Sequence, residues 1–476
     1  MPAARTARVL QWLAAAAGSV ALLLFVDFVR LGAAPWSSDE LVYAQAGAAY
    51  LRGSFTLNPQ HPLLAKFLFG IAEHLGGSTP VSARSVSAVA ATVIGLGLGV
   101  AAARRWGLPA GIVAVVLWAG PWHSPLPVSR MALLEPVTTL FVGASLACGW
   151  RWWCRRRVHW AVAAGAFAGL AAGSKLPGLC ALGSLILFAL FYERTRAVLQ
   201  HLIAAAAAAG IMFAFTYLPA GTHAAAMVKA MVRFQSHHAV TGHPIDLAGR
   251  IYHHAPWWTM TYYLGHADGW LTLAVFAVLT VAGVWLSTER ERQLTVLLVV
   301  AAALPLAVLS VSPVQLPHYV YIVTPWLLLS AVAGAVQVWR HRDVVRLGRA
   351  RMVPAVLALA AVPVAISAET GVRHDLTIPP QTYAALPNIL RSQTATPNSQ
   401  IAVWGYQDVA AAYLGSAVTA TPCTSAGCTV SAIVVDPSVA NRFPNPTIRA
   451  LLDTGRFPCH GEAGLTICLP RTTPAA

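Results

Sequence analysis

The sequence predicts an all-α polytopic membrane protein, with short helices lying on its extracytoplasmic surface and a small soluble α/β domain at the C-terminal end. Three observations predict it. Of the 476 residues 57% are hydrophobic and 10% charged, a balance that in one soluble domain would expose large apolar patches. Apolar runs long enough to cross a bilayer recur along the chain, with Lys and Arg gathered in short stretches between them. After about residue 369 the chain turns polar, and four of its seven cysteines fall there. The formal net charge of +15 reads as a set of topology signals, and a nucleic-acid-binding role is excluded because no basic stripe runs along one face.

Spans are expected near 9–29, 83–103, 108–126, 131–150, 158–174, 176–192, 199–218, 268–287, 293–311, 319–338 and 352–368, about eleven in all. The start of the chain resembles a signal peptide, with Gly32-Ala33-Ala34 as a small-residue site. The first apolar run is nevertheless long enough to span, so it is read as an uncleaved helix. With the N-terminus inside, Arg104-Arg105, Arg151 to Arg157, Glu193 to Arg196, Glu289 to Arg292 and Arg340 to Arg351 all become cytoplasmic, as the positive-inside rule asks. An odd span count puts the C-terminal tail outside. There Cys423, Cys428, Cys459 and Cys468 suit an oxidising compartment and two disulfides, their pairing left open. The expected division is therefore a transmembrane module at 1–368, with outer loops 30–82 and 219–267, and an extracytoplasmic disulfide-linked domain at 369–476. Within that domain Gln400 to Trp404 and Ser431 to Val435 read as strands. The Ala- and Arg-rich usage is compatible with a GC-rich bacterium, whose plasma membrane would hold the chain.

The chemistry is expected in the outer loops. Asp39 and Glu40 are adjacent carboxylates just past the first helix, in a chain with 17 acidic residues. One suits a base for an acceptor hydroxyl; equally, Asp39 in the first turn of a surface helix capped by Ser37 or Ser38 would complement the helix dipole. A second surface helix opens near Pro62 and carries Lys66, which either pairs with a lipid phosphate or snorkels among headgroups. His61 precedes Pro62 and would orient a carboxylate or donate to phosphate. Arg130 and Glu135 fall at the outer end of the fourth span, where a Glu demands a cavity or a partner. Lys175 sits in the outer turn between the fifth and sixth spans, on the expected face of Asp39. The loop 219–267 holds His243 and the aromatic run Trp257-Trp258 to Tyr262-Tyr263, an interfacial belt or a platform for sugar and prenyl groups. No G-x-G-x-x-G or phosphate-binding loop motif occurs, so no nucleotide is implied.

Taken together, Asp39-Glu40 with Tyr43, His61-Pro62 to Lys66, Ser129-Arg130 to Glu135, Gly173-Ser174-Lys175, Gly242-His243 with the aromatic run, and His318-Tyr319 to Pro325 resemble the signatures of GT-C membrane glycosyltransferases. The resemblance is to the protein O-mannosyltransferase and lipid A aminoarabinose transferase type, and it extends over roughly residues 10 to 330. It implies an inverting transfer of a hexosyl or pentosyl group from a polyprenyl-phosphate donor to a glycan, lipid or protein acceptor on the outer side. Asp39 would be the catalytic carboxylate, Glu40 its neighbour in acceptor or sugar binding, and Lys66 with Arg130 the leading phosphate contacts. Tyr43, His61, Glu135, Lys175 and His243 complete the implied donor site. The family's usual second proline is Leu63 here, and there is no room for the β-trefoil insert of the eukaryotic protein mannosyltransferases. No cofactor is required by the analogy, while a divalent metal on the acidic pair with His61 or His243 is left open. The alternative reading is a transporter or flippase of a lipid-linked sugar, which would favour charges near the midplane and inverted repeats. Membrane lipids are partners in either case.

Overall fold

A computed structural model describes residues 2–33, 36–120, 128–341, 383–393, 400–405, 410, 414, 419–420, 430, 432–441, 445–462 and 464–469. The chain divides into two compact units. One comprises Met1–Leu31, Ala46–Ile245 and Tyr252–Thr377; the other comprises Gly32–Gln45, Asp246–Ile251 and Ile378–Ala476.

In the first unit a helix stands at each of the first ten expected spans. These are α1 (Pro2–Phe28), α4 (Pro80–Trp106), α5 (Leu108–Ala119), α6 (Leu134–Arg155), α7 (Val158–Ser174), α8 (Cys180–Tyr192), α9 (Arg196–Phe215), α12 (Trp270–Leu286), α13 (Glu289–Ser310) and α14 (Thr324–Arg340). Among the described residues, four helices are long and apolar enough to cross a membrane, or up to five if a bent pair is one span. The expected run at 352–368 lies outside the described residues, as do Cys423 and Cys428. The interior is built by close helix approach at small residues. Gly165 and Gly169 of α7 leave room for the α9 backbone at Ala205 and Ala209, where any Cβ would collide.

Two short helices, α2 (Ser38–Leu51) and α3 (Leu64–Gly76), follow α1; both stand where the sequence expects a helix, but α2 is largely buried rather than amphipathic and α3 opens two residues past Pro62. They meet backbone to backbone, because Gly47 and Gly70 lack a Cβ: one built on Gly47 would overlap the Lys66 carbonyl, and one on Gly70 would overlap Gly47. This contact sets Tyr50 beside Lys66. Gly47→Ala is therefore expected to cost about 1–3 kcal/mol, since the overlap is with backbone that cannot turn aside. An unfolding midpoint unchanged from wild type would show that the helices are not held there.

Helix α10 (Ala224–Thr241) follows α9 through a 3-10 turn at Leu218–His223 and ends at Gly242, whose φ of 67° requires the left-handed conformation glycine supplies. The hairpin strands β1 (Ile245–Leu247) and β2 (Arg250–Tyr252) precede α11 (Thr259–Asp268).

The second unit contains α15 (Leu386–Gln393), β3 (Gln400–Trp404), β4 (Thr419–Ala420), β5 (Ala432–Val435), α16 (Pro437–Ala440), α17 (Pro446–Asp453), β6 (Cys459–Glu462) and β7 (Leu465–Cys468). Its five strands are ordered β4-β3-β5-β7-β6, parallel across β4, β3 and β5 and antiparallel across the β5, β7 and β6 edge. Ala402, Trp404, Ile433, Ile448 and Phe457 pack its core. The two predicted strands thus pair with one another, in a small α/β layer. Cys459 and Cys468, directly opposed in the β6–β7 hairpin, form a disulfide.

Candidate functional site

The start of α2 is a capping box, the S-x-x-E pattern of Ser37 to Glu40. Ser37 N–H donates to Glu40 Oε2 at 2.9 Å and Glu40 N–H donates back to Ser37 Oγ at 3.4 Å. Glu40 is thereby buried and turned onto the helix end, whereas Asp39 beside it stays partly exposed. The sequence treats the two carboxylates as a pair; the fold gives them different duties. Tyr43, one turn along, is buried. All three stand in the second unit.

In the first unit, Lys66 is wholly buried on the first turn of α3. Its ammonium donates to Tyr50 Oη at 2.9 Å, Asn58 O at 2.5 Å, Asn58 Oδ1 at 3.1 Å and His61 O at 2.8 Å. Tyr50 Oη donates onward to Leu57 O at 2.7 Å. Burial pushes the lysine pKa well down, while the four accepting oxygens favour its charged form. The same burial pushes the Tyr50 phenol up. Asn58 carries a φ of 47°, a left-handed conformation that Asn tolerates better than most residues but that costs about 1–2 kcal/mol. Its carbonyl and side chain both reach Lys66 from there, so the lysine organises the 57–61 turn rather than meeting lipid headgroups.

That turn presents His61, half-buried and edge-on to Phe234 of α10 at 5.5 Å between ring centroids. Burial first, and then the positive surroundings of Lys175, Lys66, His238 and His318, drive its pKa down to about 3. Titratable groups from four separated stretches of chain, around 61–66, 175, 238 and 318, therefore act on His61.

Lys175, at the end of α7, is ion-paired with Glu135 on the first turn of α6. Both are buried. His318 Nε2 lies 3.5 Å from Glu135 Oε1, and the Lys175 ammonium stands 3.8 Å from the centre of the Tyr319 ring, a cation–π contact. Glu135 Oε2 has no hydrogen-bond partner among the described residues. The partner demanded by a Glu at that depth is thus a lysine 40 residues away, and the lysine is a buried ion rather than an exposed turn residue.

Arg130 is buried too, at the end of the 3-10 turn Val128–Arg130. Its guanidinium donates to Val29 O, where a cation meets the carbonyl end of α1. Its charge also acts on buried Asp27, which accepts from Thr92 Oγ1 at 2.8 Å. His243 is exposed, immediately past Gly242. The fold thus gathers His61, Lys66, Glu135 and Lys175, and holds Arg130 at the end of α1. Sequence reasoning passed over Tyr50, Asn58 and His238 as site residues, and used His318-Tyr319 only as a signature. Asp27, an acid inside the first apolar run, was a legible signal. Among the described residues no group of three or more His, Cys, Asp or Glu is placed to hold a metal ion.

Such a cluster, two buried lysines and three histidines against one carboxylate, is suited to holding an anion at a membrane protein's surface. The fold is shared with solved membrane-enzyme structures, and among the described residues four helices are long and apolar enough to cross a membrane. The structure of ArnT, the lipid A aminoarabinose transferase, from Cupriavidus metallidurans bound to undecaprenyl phosphate superposes with a TM-score of 0.63 at 16% identity, over 98% of this chain and 99% of that one. The archaeal oligosaccharyltransferase AglB from Archaeoglobus fulgidus, in complex with an inhibitory peptide and a dolichol-phosphate, superposes with a TM-score of 0.55 at 10% identity, over 98% of this chain and 74% of that one. By sequence, residues 60–219 match the family described as dolichyl-phosphate-mannose-protein mannosyltransferase. No curated protein matches the chain by sequence.

Proposed function

We propose that the protein is an inverting glycosyltransferase that moves a hexosyl or pentosyl group from a polyprenyl-phosphate donor to a glycan, lipid or protein acceptor. The reading includes about eleven spans and an extracytoplasmic site and tail in a bacterial plasma membrane. It is supported above all by the buried Lys175–Glu135 ion pair with His318 beside it, and by the turn carrying His61, which is hung on the Lys66 ammonium. The fold of the lipid-phosphate-bound neighbours agrees with it.

In the proposed reaction an acceptor hydroxyl attacks the anomeric carbon from the side opposite the phosphate. Asp39 takes the hydroxyl proton as the new glycosidic bond forms. The bond from the anomeric carbon to the phosphate oxygen breaks, and the leaving lipid phosphate gains one negative charge. Lys175 and His61 meet that charge, and Lys66 adds its field while holding the His61 turn. Glu135 fixes Lys175, and Glu40 fixes the end of the helix that carries Asp39. Because lysines supply the counter-charge, we expect no cofactor requirement, and activity unchanged by a metal chelator.

The test is to give purified protein in liposomes a panel of polyprenyl-phosphate sugars, with and without chelator. Release of free polyprenyl phosphate with one of them, and a product of opposite anomeric configuration, is expected; no release with any donor that binds overturns the reading. Loss of release on chelation would assign a metal role.

A pH effect follows from the depressed pKa values. In the anion-free state His61 titrates near 3 and Lys66 below its usual range, so both bind fewer protons than free side chains. A donor phosphodiester, with one fixed negative charge, raises both. Donor binding should therefore take up protons, and affinity should strengthen as pH falls toward the His61 value. Titration calorimetry in two buffers of different ionisation enthalpy reads this directly; proton release on binding would contradict it.

A further inference from the structure

An apolar cleft of about 670 Å³ opens between the end of α9 and α10, walled by Phe213, Tyr217, Val228 and Val232 and completed by Lys229 and Arg233. Its size is that of a small-molecule site, and its charge is one-sided: the sequence has no Asp or Glu between Phe215 and Asp246. Helix α10 has two distinct sides. Met227 and Met231 are buried, and Phe234 and His238 continue their stripe toward His61. Lys229, Val232 and Arg233 are exposed on the other side, so the two cations of the cleft do not belong to the cluster around His61. The cleft also continues an apolar surface, for Phe215 at the end of α9 is 56% exposed and Leu218 65%. A membrane helix end with such residues faces lipid.

We propose that this cleft binds an anionic bilayer phospholipid, with an acyl chain along the apolar wall and the headgroup phosphate on Lys229 and Arg233. The charge complementarity and the continuity with the lipid-facing surface commit the site to a lipid. Its separation from the His61 side of α10 distinguishes it from the donor phosphate site.

The test reads lipid retention, so its outcome is independent of whether sugar transfer is observed. Full-length protein is equilibrated with vesicles of equal phosphatidylglycerol and phosphatidylcholine, and bound lipid is counted by native mass spectrometry. Wild type is expected to retain phosphatidylglycerol roughly 30-fold over phosphatidylcholine, the preference two basic residues confer at a membrane surface. Lys229→Gln with Arg233→Gln should abolish the preference. Val232→Trp, which obstructs the cleft with both cations kept, should lower retention of the lipid itself. Both variants alter exposed residues and should unfold at the wild-type temperature and bind undecaprenyl phosphate as wild type does. Equal retention of the two phospholipids by wild type, or an unchanged preference in the double variant, overturns the proposal. So does loss of undecaprenyl phosphate binding in either variant, which would give the cleft to the donor chain.

Discussion

Asp39→Asn is expected to lower sugar transfer by about 10²–10⁴-fold, the usual contribution of a positioned proton acceptor, with the fold and donor binding retained. The fold should survive because the helix end does not depend on Asp39. Ser37 and Glu40 close the capping box between themselves, and the loss of one partly exposed charge from the first turn costs about 0.3–1 kcal/mol. Donor binding should survive because the phosphate is assigned to the His61 cluster. The kinetic signature is a fall in kcat at nearly constant donor KM. Glu40→Gln makes the contrast: it weakens the cap by about 1 kcal/mol and should lower stability more than it lowers turnover. Full transfer by Asp39→Asn would remove the catalytic assignment, and equal damage from both variants would make Asp39 a capping residue.

Lys175→Met is expected to destabilise the protein by about 3–5 kcal/mol, because it strands Glu135 as an uncompensated buried carboxylate. His318, 3.5 Å from that carboxylate, would give partial relief by protonating, so the loss should shrink as pH is lowered. Glu135→Leu combined with Lys175→Met removes both charges, and well-packed apolar replacements of a buried pair are often neutral or stabilising. The double variant should therefore regain stability in thermal unfolding without regaining transfer. That split separates the two roles of the pair. A double variant that transfers at the wild-type rate would make the pair purely structural, and a single variant as stable as wild type would show that the carboxylate is not buried in charged form.

The capping box shows how much of the local structure of the site was readable. Ser37 and Glu40 are three residues apart, so their exchange of hydrogen bonds is a local event written in the sequence. Glu135 illustrates the opposite limit. Its sequence context says that a partner must exist, yet nothing near it says that the partner is Lys175, or that His318 joins them. Nor does anything near Lys66 in the sequence say that the fold surrounds it with the oxygens of Tyr50, Asn58 and His61.

What the sequence determined by itself is therefore what short-range physics controls. Hydropathy over a bilayer's width placed the apolar helices, short continuous apolar runs placed β3 and β5, and Pro, Gly and Ser marked where helices begin and end. Tertiary structure alone decided which charged side chains share a space. Ion pairing inside a protein depends on distances between segments far apart in the chain, and burial multiplies its strength many-fold over water. That is why one carboxylate, two lysines and three histidines scattered from His61 to His318 become a single electropositive cluster only once the helices have packed.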